Sequence, residues 1–310
     1  MRVCGTCTEA TEIGRGVRQG CLLSPVLFNL YAETMMKEAL EDVEEGVRVG
    51  GSLIPDVRFA DDQAMTAGSE SGLQKIMNRV NDTGKEYGMK INVKKTKVMV
   101  VSKEERKEVR IMVDGQRVEQ VPQFKYLGAW MTEDGRCELE VKTRIAMAKE
   151  AFSKRRELLT KGLCLATKKK IVKVLVWSVA LYGCETWALK KAERGRLESF
   201  EMWVWRRMEK ISWVDKVTNM DVLKRVDERR MLLEEVIKRQ KQWIGHVLRG
   251  EGLLKNIIEG KMEGKRCRGR KRVGMLDGLM GEGYAELKER AQDRQGWREW
   301  MPWTCLRTEH

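Results

Sequence analysis

The sequence predicts an α+β fold followed by a helical region, and three observations support this. Runs rich in strand-forming residues alternate with helical periods in residues 1–135, residues 136–250 are mostly helical in period, and residues 251–310 contain a dense basic run. A chain of 310 residues with 42% hydrophobic content can bury one or more cores. We therefore expect a mixed α+β domain, a mainly helical domain and a basic C-terminal segment.

Two helices are predicted in the first part. Ser24 and Pro25 are typical of an N-cap followed by proline at the first helical position. A second helix, near residues 69–87, should end at Gly88. The apolar positions with helical spacing are Val26, Leu27, Leu30, Tyr31 and Met35 in the first helix, and Leu73, Ile76, Met77, Val80 and Tyr87 in the second. Each helix should bury that face.

Strand signals follow the second helix. Apolar residues alternate around Ile91 and Val93, return in the run 98–101, and reach Asp114-Gly115 after the run 111–113. An Asp-Gly pair between apolar runs is typical of a tight hairpin turn. The first part therefore combines short strands with two helices.

Helical spacing dominates from Glu138 onward. The apolar positions are Ile145, Ala148, Phe152, Ile171, Val174, Leu175, Val179, Met231, Ile237, Ile244 and Val247. All ten tryptophans lie at or after residue 130. Those at 177, 187, 203, 205, 213 and 243 have helical apolar neighbours, so core packing explains most of them better than base stacking does.

The charge balance favours a polyanionic partner. The chain has 60 Lys and Arg against 46 Asp and Glu, a formal net charge of +14, which suits nucleic acid or an anionic membrane surface. The longest apolar stretch, 174–182, is interrupted by Ser178 and is too short to span a bilayer, and the N-terminus lacks a secretory signal pattern. We expect no membrane partner and an intracellular location.

A basic cluster near the C-terminus concentrates this charge. Six of the eight residues 265–272 are basic: Lys265, Arg266, Arg268, Arg270, Lys271 and Arg272. Such a run can be a solvated surface, but its density in a basic chain favours phosphate binding or nuclear localisation. We interpret it as a nucleic-acid-binding segment.

The eight cysteines do not form a zinc-binding pattern. One Cys-x-x-Cys pair, Cys4 and Cys7, is far from the two histidines, His246 and His310. A chain of this size without a secretory signal also gives no support for a disulfide framework. Free thiols are the expectation.

Two adjacent carboxylates, Asp61 and Asp62, interrupt the strand-forming run 57–65. Buried in a sheet without a cation, the pair would repel and lose hydration. A solvated turn between two strands explains the pair without any function. A bound cation is the alternative, and the four residues 59–62 alone do not decide between the two.

Four segments in order decide between these alternatives by resemblance. They are GVRQGCLLSP at 16–25, FADD at 59–62, GMKINVKKT at 88–96 and FKYLG at 124–128. Together they resemble the successive blocks B, C, D and E of reverse transcriptases from LINE-like, non-LTR retrotransposons. Each segment alone is weak evidence, and the four in this order are strong evidence.

The C-terminal part adds a second resemblance. WIGHVLR at 243–249, GKMEGKR at 260–266 with the basic run after it, Leu276-Asp277 and DRQGWR at 293–298 are similar to the end of such elements, notably the RTE type. Family members usually have tryptophan before the Leu-Asp pair, where this chain has Met275. The resemblance covers nearly the whole chain.

The resemblance implies a fold and a set of roles. It implies a partial polymerase palm over 1–135, a thumb-like helical domain over 136–250 and a basic segment over 251–310. Asp61 would bind Mg²⁺ or Mn²⁺ with Asp62 as its supporting neighbour, Arg18, Gln19 and Gly20 would line the nucleotide and template pocket, and Lys95 would neutralise or protonate pyrophosphate. The primer end would lie on Phe124, Lys125, Tyr126, Leu127 and Gly128. The implied partners are an RNA template, a DNA primer and deoxynucleotides, and the implied location is a nuclear or cytoplasmic ribonucleoprotein.

The resemblance also implies a missing part. In this family a block A upstream of the glycine-arginine-glutamine block supplies another metal-binding aspartate, and only fifteen residues precede Gly16, with Glu9 and Glu12 as their acids. We therefore expect a truncated polymerase that binds its metal weakly and does not polymerise alone. A non-catalytic RNA- or DNA-binding remnant is the alternative function, and a decayed element without a selected role fits the same residues.

These interpretations give a structural expectation. Residues 14–130 should form a partial antiparallel palm sheet with Asp61 and Asp62 at a hairpin, packed on helices near 25–45 and 69–87. An apolar edge should be exposed beside the Asp61 strand, because the elements that would cover the palm are absent from the sequence.

Overall fold

The computed structural model describes residues 2–3, 6–7, 20–102, 108–260, 274–280 and 283–300. The chain divides into two compact units, one of residues 1–98 and 108–120 and the other of residues 99–107 and 121–310. Both strands and helices are present, which confirms the α+β class. The predicted palm, thumb-like and basic parts, with boundaries near residues 135 and 250, remain predictions.

The first unit combines short strands with two long helices. The helices are α1, Ser24–Ala39, and α2, Glu70–Glu86. The strands are β1 Arg2–Val3, β2 Thr6–Cys7, β3 Val47–Val49, β4 Ser52–Ile54, β5 Asp56–Phe59, β6 Asp62–Met65, β7 Lys97–Val98, β8 Met112–Val113, β9 Gln116–Arg117 and β10 Glu119–Gln120.

The expected palm sheet is replaced by separate strand pairs. Among the described residues, β1–β2, β3–β4, β5–β6 and β8–β9 form antiparallel pairs, and β7–β10 is parallel. The expectation of one antiparallel sheet was therefore wrong. Strands of two to four residues form only a few ladder hydrogen bonds each, and the pairs β3–β4, β5–β6 and β8–β9 are each closed by a two-residue turn. The hairpin predicted at Asp114-Gly115 is confirmed, with both residues in the left-handed region at φ +48° and +73°.

Helix α2 forms as predicted. The Ser69 hydroxyl accepts the Gly72 N–H at 3.1 Å as N-cap, and Gly88, at φ +67°, follows the last turn. Ile76, Met77 and Val80 are buried. Ile76 and Val80 pack with Met35, Met36 and Ala39 of α1, and these five residues form a buried cluster in this unit.

Helix α1 differs from its prediction in two ways. Ser24 is its first helical residue and Leu23 its N-cap, so the predicted serine cap was wrong by one position. Val26, Leu27, Leu30 and Tyr31 are 46–62% exposed, whereas Ala32, Met35, Met36 and Ala39 are buried. The cluster with α2 draws on the C-terminal half of α1, and the small side chain of Ala39 permits close approach there. Of the predicted apolar face, Met35 alone is buried.

The second unit is a helical assembly preceded by one hairpin. The hairpin consists of β11 Gln123–Tyr126 and β12 Ala129–Thr132. The α-helices are α3 Glu138–Ser153, α4 Arg156–Thr160, α5 Leu165–Ile171, α6 Trp177–Ala180, α7 Lys191–Met208, α8 Asn219–Val226, α9 Leu232–Arg249, α10 Leu253–Glu259, α11 Tyr284–Gln292 and α12 Arg294–Glu299. A π-helical turn spans Val172–Val176, and 3₁₀ turns span Cys184–Thr186, Trp213–Asp215 and Met275–Gly278.

One large core holds this unit together. It includes Ala148 and Phe152 of α3 and Ile237 and Ile244 of α9, as their spacing predicts. Val174 is 65% exposed and Leu175 also lies at the surface, whereas Val172 and Val176 are buried, so the predicted face was wrong at this point. The π-helical turn inserts an extra residue and rotates the apolar positions.

Most of the tryptophans are packed as predicted. Trp177, Trp187 and Trp205 are buried, while Trp203 and Trp243 are half-buried against the same core. Trp213 is 91% exposed, so core packing does not explain it. Within the described residues, no helix is both long enough and apolar enough to cross a bilayer.

Candidate functional site

The paired aspartates lie at the tip of the β5–β6 hairpin. Phe59 pairs with Asp62, Arg58 with Gln63 and Val57 with Ala64, which leaves Ala60 and Asp61 as a two-residue turn. Ala60 has a φ of +53°, in the left-handed region that residues other than glycine rarely adopt and that tight hairpin turns require. The prediction that Asp61 and Asp62 lie at a hairpin is confirmed, and their chemical role remains a prediction.

The two faces of this hairpin differ in character. Cross-strand partners share a face, so Asp62 lies beside Phe59, which is 65% exposed, and near Val57. On the other face Arg58 Nε lies 2.6 Å from Asp56 Oδ2, and Arg58 Nη1 lies 2.9 Å from Glu33 Oε2 of α1. Partial burial raises the pKa of Asp56 despite the neighbouring guanidinium. The Arg58–Glu33 ion pair joins the hairpin to α1, and the Arg58–Asp56 pair holds the guanidinium within β5.

Asp61 and Asp62 are themselves exposed. Solvation at the tip removes the cost that burial of two carboxylates would carry, which is how the sequence tolerates them. Carboxylate oxygens are the donors that Mg²⁺ and Mn²⁺ prefer, so the pair fits a hard divalent cation as part of its ligand set. Among the described residues, no three Asp, Glu, His or Cys side chains are grouped as a metal site.

The other residues predicted around the nucleotide are only partly described. Gly20 is exposed at φ +86°, a left-handed conformation that favours glycine, just before α1. Lys95 is exposed in the turn after α2, where its N–H donates to the Asn92 carbonyl at 3.0 Å. Arg18 and Gln19 lie outside the described residues, as does the cluster of Lys265, Arg266, Arg268, Arg270, Lys271 and Arg272.

The segment predicted to hold the primer end is the β11–β12 hairpin of the second unit. Phe124, Lys125 and Tyr126 lie on β11, and Leu127 and Gly128 form the turn at φ +48° and +82°. Phe124 and Tyr126 are half-buried, whereas Lys125 and Leu127 are exposed. This hairpin therefore presents alternate side chains to solvent.

A buried ion pair on α3 holds this hairpin from behind. Arg144 and Glu140 are both buried, with Arg144 Nε 2.5 Å from Glu140 Oε1. Arg144 Nη2 donates to the Gly128 carbonyl, and Glu140 Oε2 accepts the Trp130 N–H at 2.7 Å. Two hydrogen bonds, one donated by Arg144 to the turn and one accepted by Glu140 from β12, thus fix the hairpin to α3.

Tyr182 completes the support of this turn. The Arg144 guanidinium lies 4.3 Å from the centroid of the Tyr182 ring, and the Tyr182 hydroxyl donates to the Leu127 carbonyl at 3.3 Å. Sequence reasoning missed all three supporting residues. The spacing of Glu140 and Arg144, four residues apart on a helix, is also typical of exposed surface pairs, and so it carried no signal of burial.

Comparison with known proteins finds a similarity in the first part of the chain. Residues 2–131 match the family model described as reverse transcriptase (RNA-dependent DNA polymerase). The matched segment includes both the Asp61–Asp62 hairpin and the hairpin at 124–128. This agrees with the family that the four sequence segments resemble.

Three curated proteins illustrate the similarity. The chain is 27% identical over 141 residues, 43% of its length, to the Pol polyprotein of the type-2 retrotransposable element R2DM of Drosophila melanogaster. It is 32% identical over 142 residues to the Pol polyprotein of the type-1 retrotransposable element R2 of Nasonia vitripennis. The matched regions are 13% and 14% of those proteins, so the chain corresponds to a small part of each.

The third relative extends further along the chain. An uncharacterised transposon-derived protein of Caenorhabditis elegans is 26% identical over 212 residues, which is 66% of this chain and 75% of that protein. Similarity to a transposon-derived protein therefore continues beyond the residues that match the reverse transcriptase model.

Proposed function

We propose that this chain is part of an RNA-directed DNA polymerase of a non-LTR retrotransposon of the RTE type. The observation that supports this most strongly is the placement of Asp61 and Asp62 at an exposed hairpin tip, inside the segment similar to reverse transcriptases. The substrates would be a primed RNA template and deoxynucleotides.

Asp61 would hold a divalent cation, Mg²⁺ or Mn²⁺, and Asp62 would support it with further negative charge. A bound cation of this kind stabilises the charge on the attacking and leaving oxygens of phosphoryl transfer. The hairpin would position the metal, because its tight turn and the Arg58–Glu33 ion pair to α1 keep the two carboxylates at one defined place.

The remaining roles follow the same resemblance. Arg18, Gln19 and Gly20 would line the nucleotide pocket, with glycine allowing close approach of the backbone. Lys95, exposed and cationic, would neutralise or protonate the pyrophosphate. The hairpin at 124–128, held by Arg144, would carry the primer end.

We further propose that a second carboxylate ligand of the metal comes from a segment outside residues 1–310. A site with two neighbouring carboxylates on one hairpin holds a cation weakly, since Mg²⁺ affinity depends on the number and rigidity of its oxygen ligands. The polypeptide 1–310 would therefore bind template and primer but extend the primer little.

Primer extension on a primed RNA template tests this function. Residues 1–310 alone should extend the primer little in Mg²⁺ or Mn²⁺, and fusion to the fingers and block A segment of a complete related element should restore extension. If the fused protein binds the template but never extends the primer, the function is that of a non-catalytic nucleic-acid-binding remnant, which the net charge of +14 also suits. If the unfused chain extends the primer strongly, the second-ligand proposal is wrong.

A further inference from the structure

Trp213 is an exposed tryptophan in a unit that buries most of its tryptophans. It lies with Val214 on the 3₁₀ turn Trp213–Asp215 between α7 and α8, and the two side chains are 91% and 81% exposed. Tryptophan is highly buried in proteins on average, because its ring is large and apolar. An indole presented this fully to solvent therefore requires an explanation outside the core.

The turn that carries Trp213 is held in place at both ends. The Ser212 N–H donates to Asp215 Oδ2 at 2.6 Å, and the Lys216 N–H donates to the Trp213 carbonyl at 3.3 Å. Arg206 of α7 donates to the Val217 carbonyl at 2.7 Å and to Asn219 Oδ1 at 2.9 Å. The indole is thus carried by an ordered turn, so that ligand binding would cost little entropy for ordering this segment.

Charge around the turn favours an anionic ligand. The stretch 206–225 contains six basic and three acidic residues. Two of the acids are used locally, since Asp215 accepts the Ser212 N–H and Asp221 accepts the Thr218 hydroxyl at 2.6 Å. Lys210 and Lys216, three residues before and three after Trp213, are exposed. An aromatic face between cations matches a base with its flanking phosphates.

We propose that the turn 212–216 binds single-stranded nucleic acid, with one base stacked on the Trp213 indole and phosphates bound by Lys210 and Lys216. This proposal rests on the proposed function, since it assigns a binding site for template or displaced strand to the second unit. Lysine is depleted in protein–protein interfaces, whereas two exposed lysines flank this tryptophan, and an aromatic side chain between cations is typical of single-strand binding sites.

Fluorescence anisotropy with labelled 12-nucleotide RNA and DNA of one sequence tests the site on the full chain. Trp213→Ala should weaken binding about 5- to 150-fold, the effect of losing one base–aromatic stack, and Trp213→Phe should retain most of the affinity. In the double variant Lys210→Gln, Lys216→Gln, the negative slope of log affinity against log salt should become shallower by about 1.4. Leu254→Ala, which removes another exposed apolar side chain of this unit, is the matched control and should bind as the parent does.

An oligonucleotide with abasic positions distinguishes stacking from charge. The parent should bind the abasic oligonucleotide more weakly than the intact one. Trp213→Ala should bind the two oligonucleotides with equal affinity. Equal losses for RNA and DNA would assign the site to either strand, and a loss for one alone would identify that strand. If Trp213→Ala binds the oligonucleotides as the parent does, this inference is overturned and the proposed function stands. The same holds if Trp213→Ala changes only the self-association of the protein. Failure of the parent to bind either oligonucleotide would overturn both.

Discussion

Glu201 is a buried carboxylate that caps a helix of the second unit. Its Oε1 accepts the N–H groups of Met231 and Leu232 at 2.9 and 3.3 Å, at the start of α9. Burial raises the pKa of Glu201 to about 7, although these bonds and Arg230 act in the opposite direction. The folded protein therefore binds this proton more tightly than the unfolded chain does.

This pKa predicts a pH dependence of stability. Because the folded pKa lies above the ordinary value of 4.5, the free energy of unfolding should fall as the pH rises from about 4.5 to about 7, by roughly 3 kcal/mol at most from this group. Glu201→Gln keeps an accepting oxygen and removes the titration. Urea unfolding should show the variant gaining on the parent between pH 5 and pH 8, and an identical difference at both pH values would contradict the assignment.

Single residues also show how far the sequence determines the site. The placement of Asp61 and Asp62 at a turn was predictable, because strand-forming residues flank two carboxylates that resist burial. The burial of Glu140, Arg144 and Glu201 was not predictable, because a charged residue is buried only where tertiary partners satisfy it. Those partners come from segments distant in sequence.

At the scale of elements, α12 packs closely on α9. A Cβ added at Gly245 would lie 2.2 Å from Trp297 Nε1, and that nitrogen donates to the Lys241 carbonyl at 3.1 Å. Gly245 and Trp297 lie in the segments 243–249 and 293–298, which resemble the ends of retroelement proteins. Their contact gives those segments a packing role in this unit.

Gly245→Ala should therefore destabilise the second unit, by about 1–3 kcal/mol, because the indole has to move and its hydrogen bond is lost. Gly195→Ala is the matched control, since it lies in helix α7 with no atom within 4 Å of the added Cβ. It should stabilise the protein by about 0.5–1 kcal/mol. Urea midpoints give both values, and equal shifts in one direction would contradict the packing account.

The ion pair behind the β11–β12 hairpin gives another prediction for an element. Arg144→Met leaves Glu140 buried without its cation and should cost about 3–5 kcal/mol. The double variant Glu140→Gln, Arg144→Met should be less destabilised than Arg144→Met alone, because no charge is left unpaired. If the loss of unfolding free energy in the double variant equals the sum of the losses in the two single variants, the two residues act independently and the prediction is wrong.

Helix faces mark the limit of prediction for elements. The 3.6-residue period identified α1 and α2 correctly, and it gave the buried face of α2. On α1 it selected side chains that the structure leaves exposed, since a period shows that an apolar face exists and not which neighbour covers it. The π-helical turn at Val172–Val176 similarly shifted a face by one residue.

At the scale of the whole molecule, the chain exposes a set of large apolar side chains in its first unit. The set comprises Leu22 and Leu23 just before α1, Val26, Leu27 and Leu30 on α1, and Val57 and Phe59 on β5. Exposed apolar area of this kind promotes association. The exposed edge expected beside Asp61 is thus observed at Val57 and Phe59.

Polypeptide 1–310 should consequently self-associate in a concentration-dependent manner. Replacing Leu27 and Leu30 by glutamate should lower the weight-average mass seen by light scattering without unfolding α1, because both side chains point to solvent. The same two-residue replacement at Leu158 and Leu163, exposed in the second unit, is the matched control. Monodisperse behaviour of the parent at high concentration would contradict the prediction.

One measurement tests most directly whether Asp61 binds the catalytic metal. In the fusion that supplies the fingers and block A segment, RNA-templated primer extension should be abolished by Asp61→Ala. It should be unaffected by Asp82→Ala, which removes an exposed aspartate from α2 in the same unit. Loss of extension in the first variant, with template binding retained in both, is the result that the account predicts. Equal extension by both variants would contradict it.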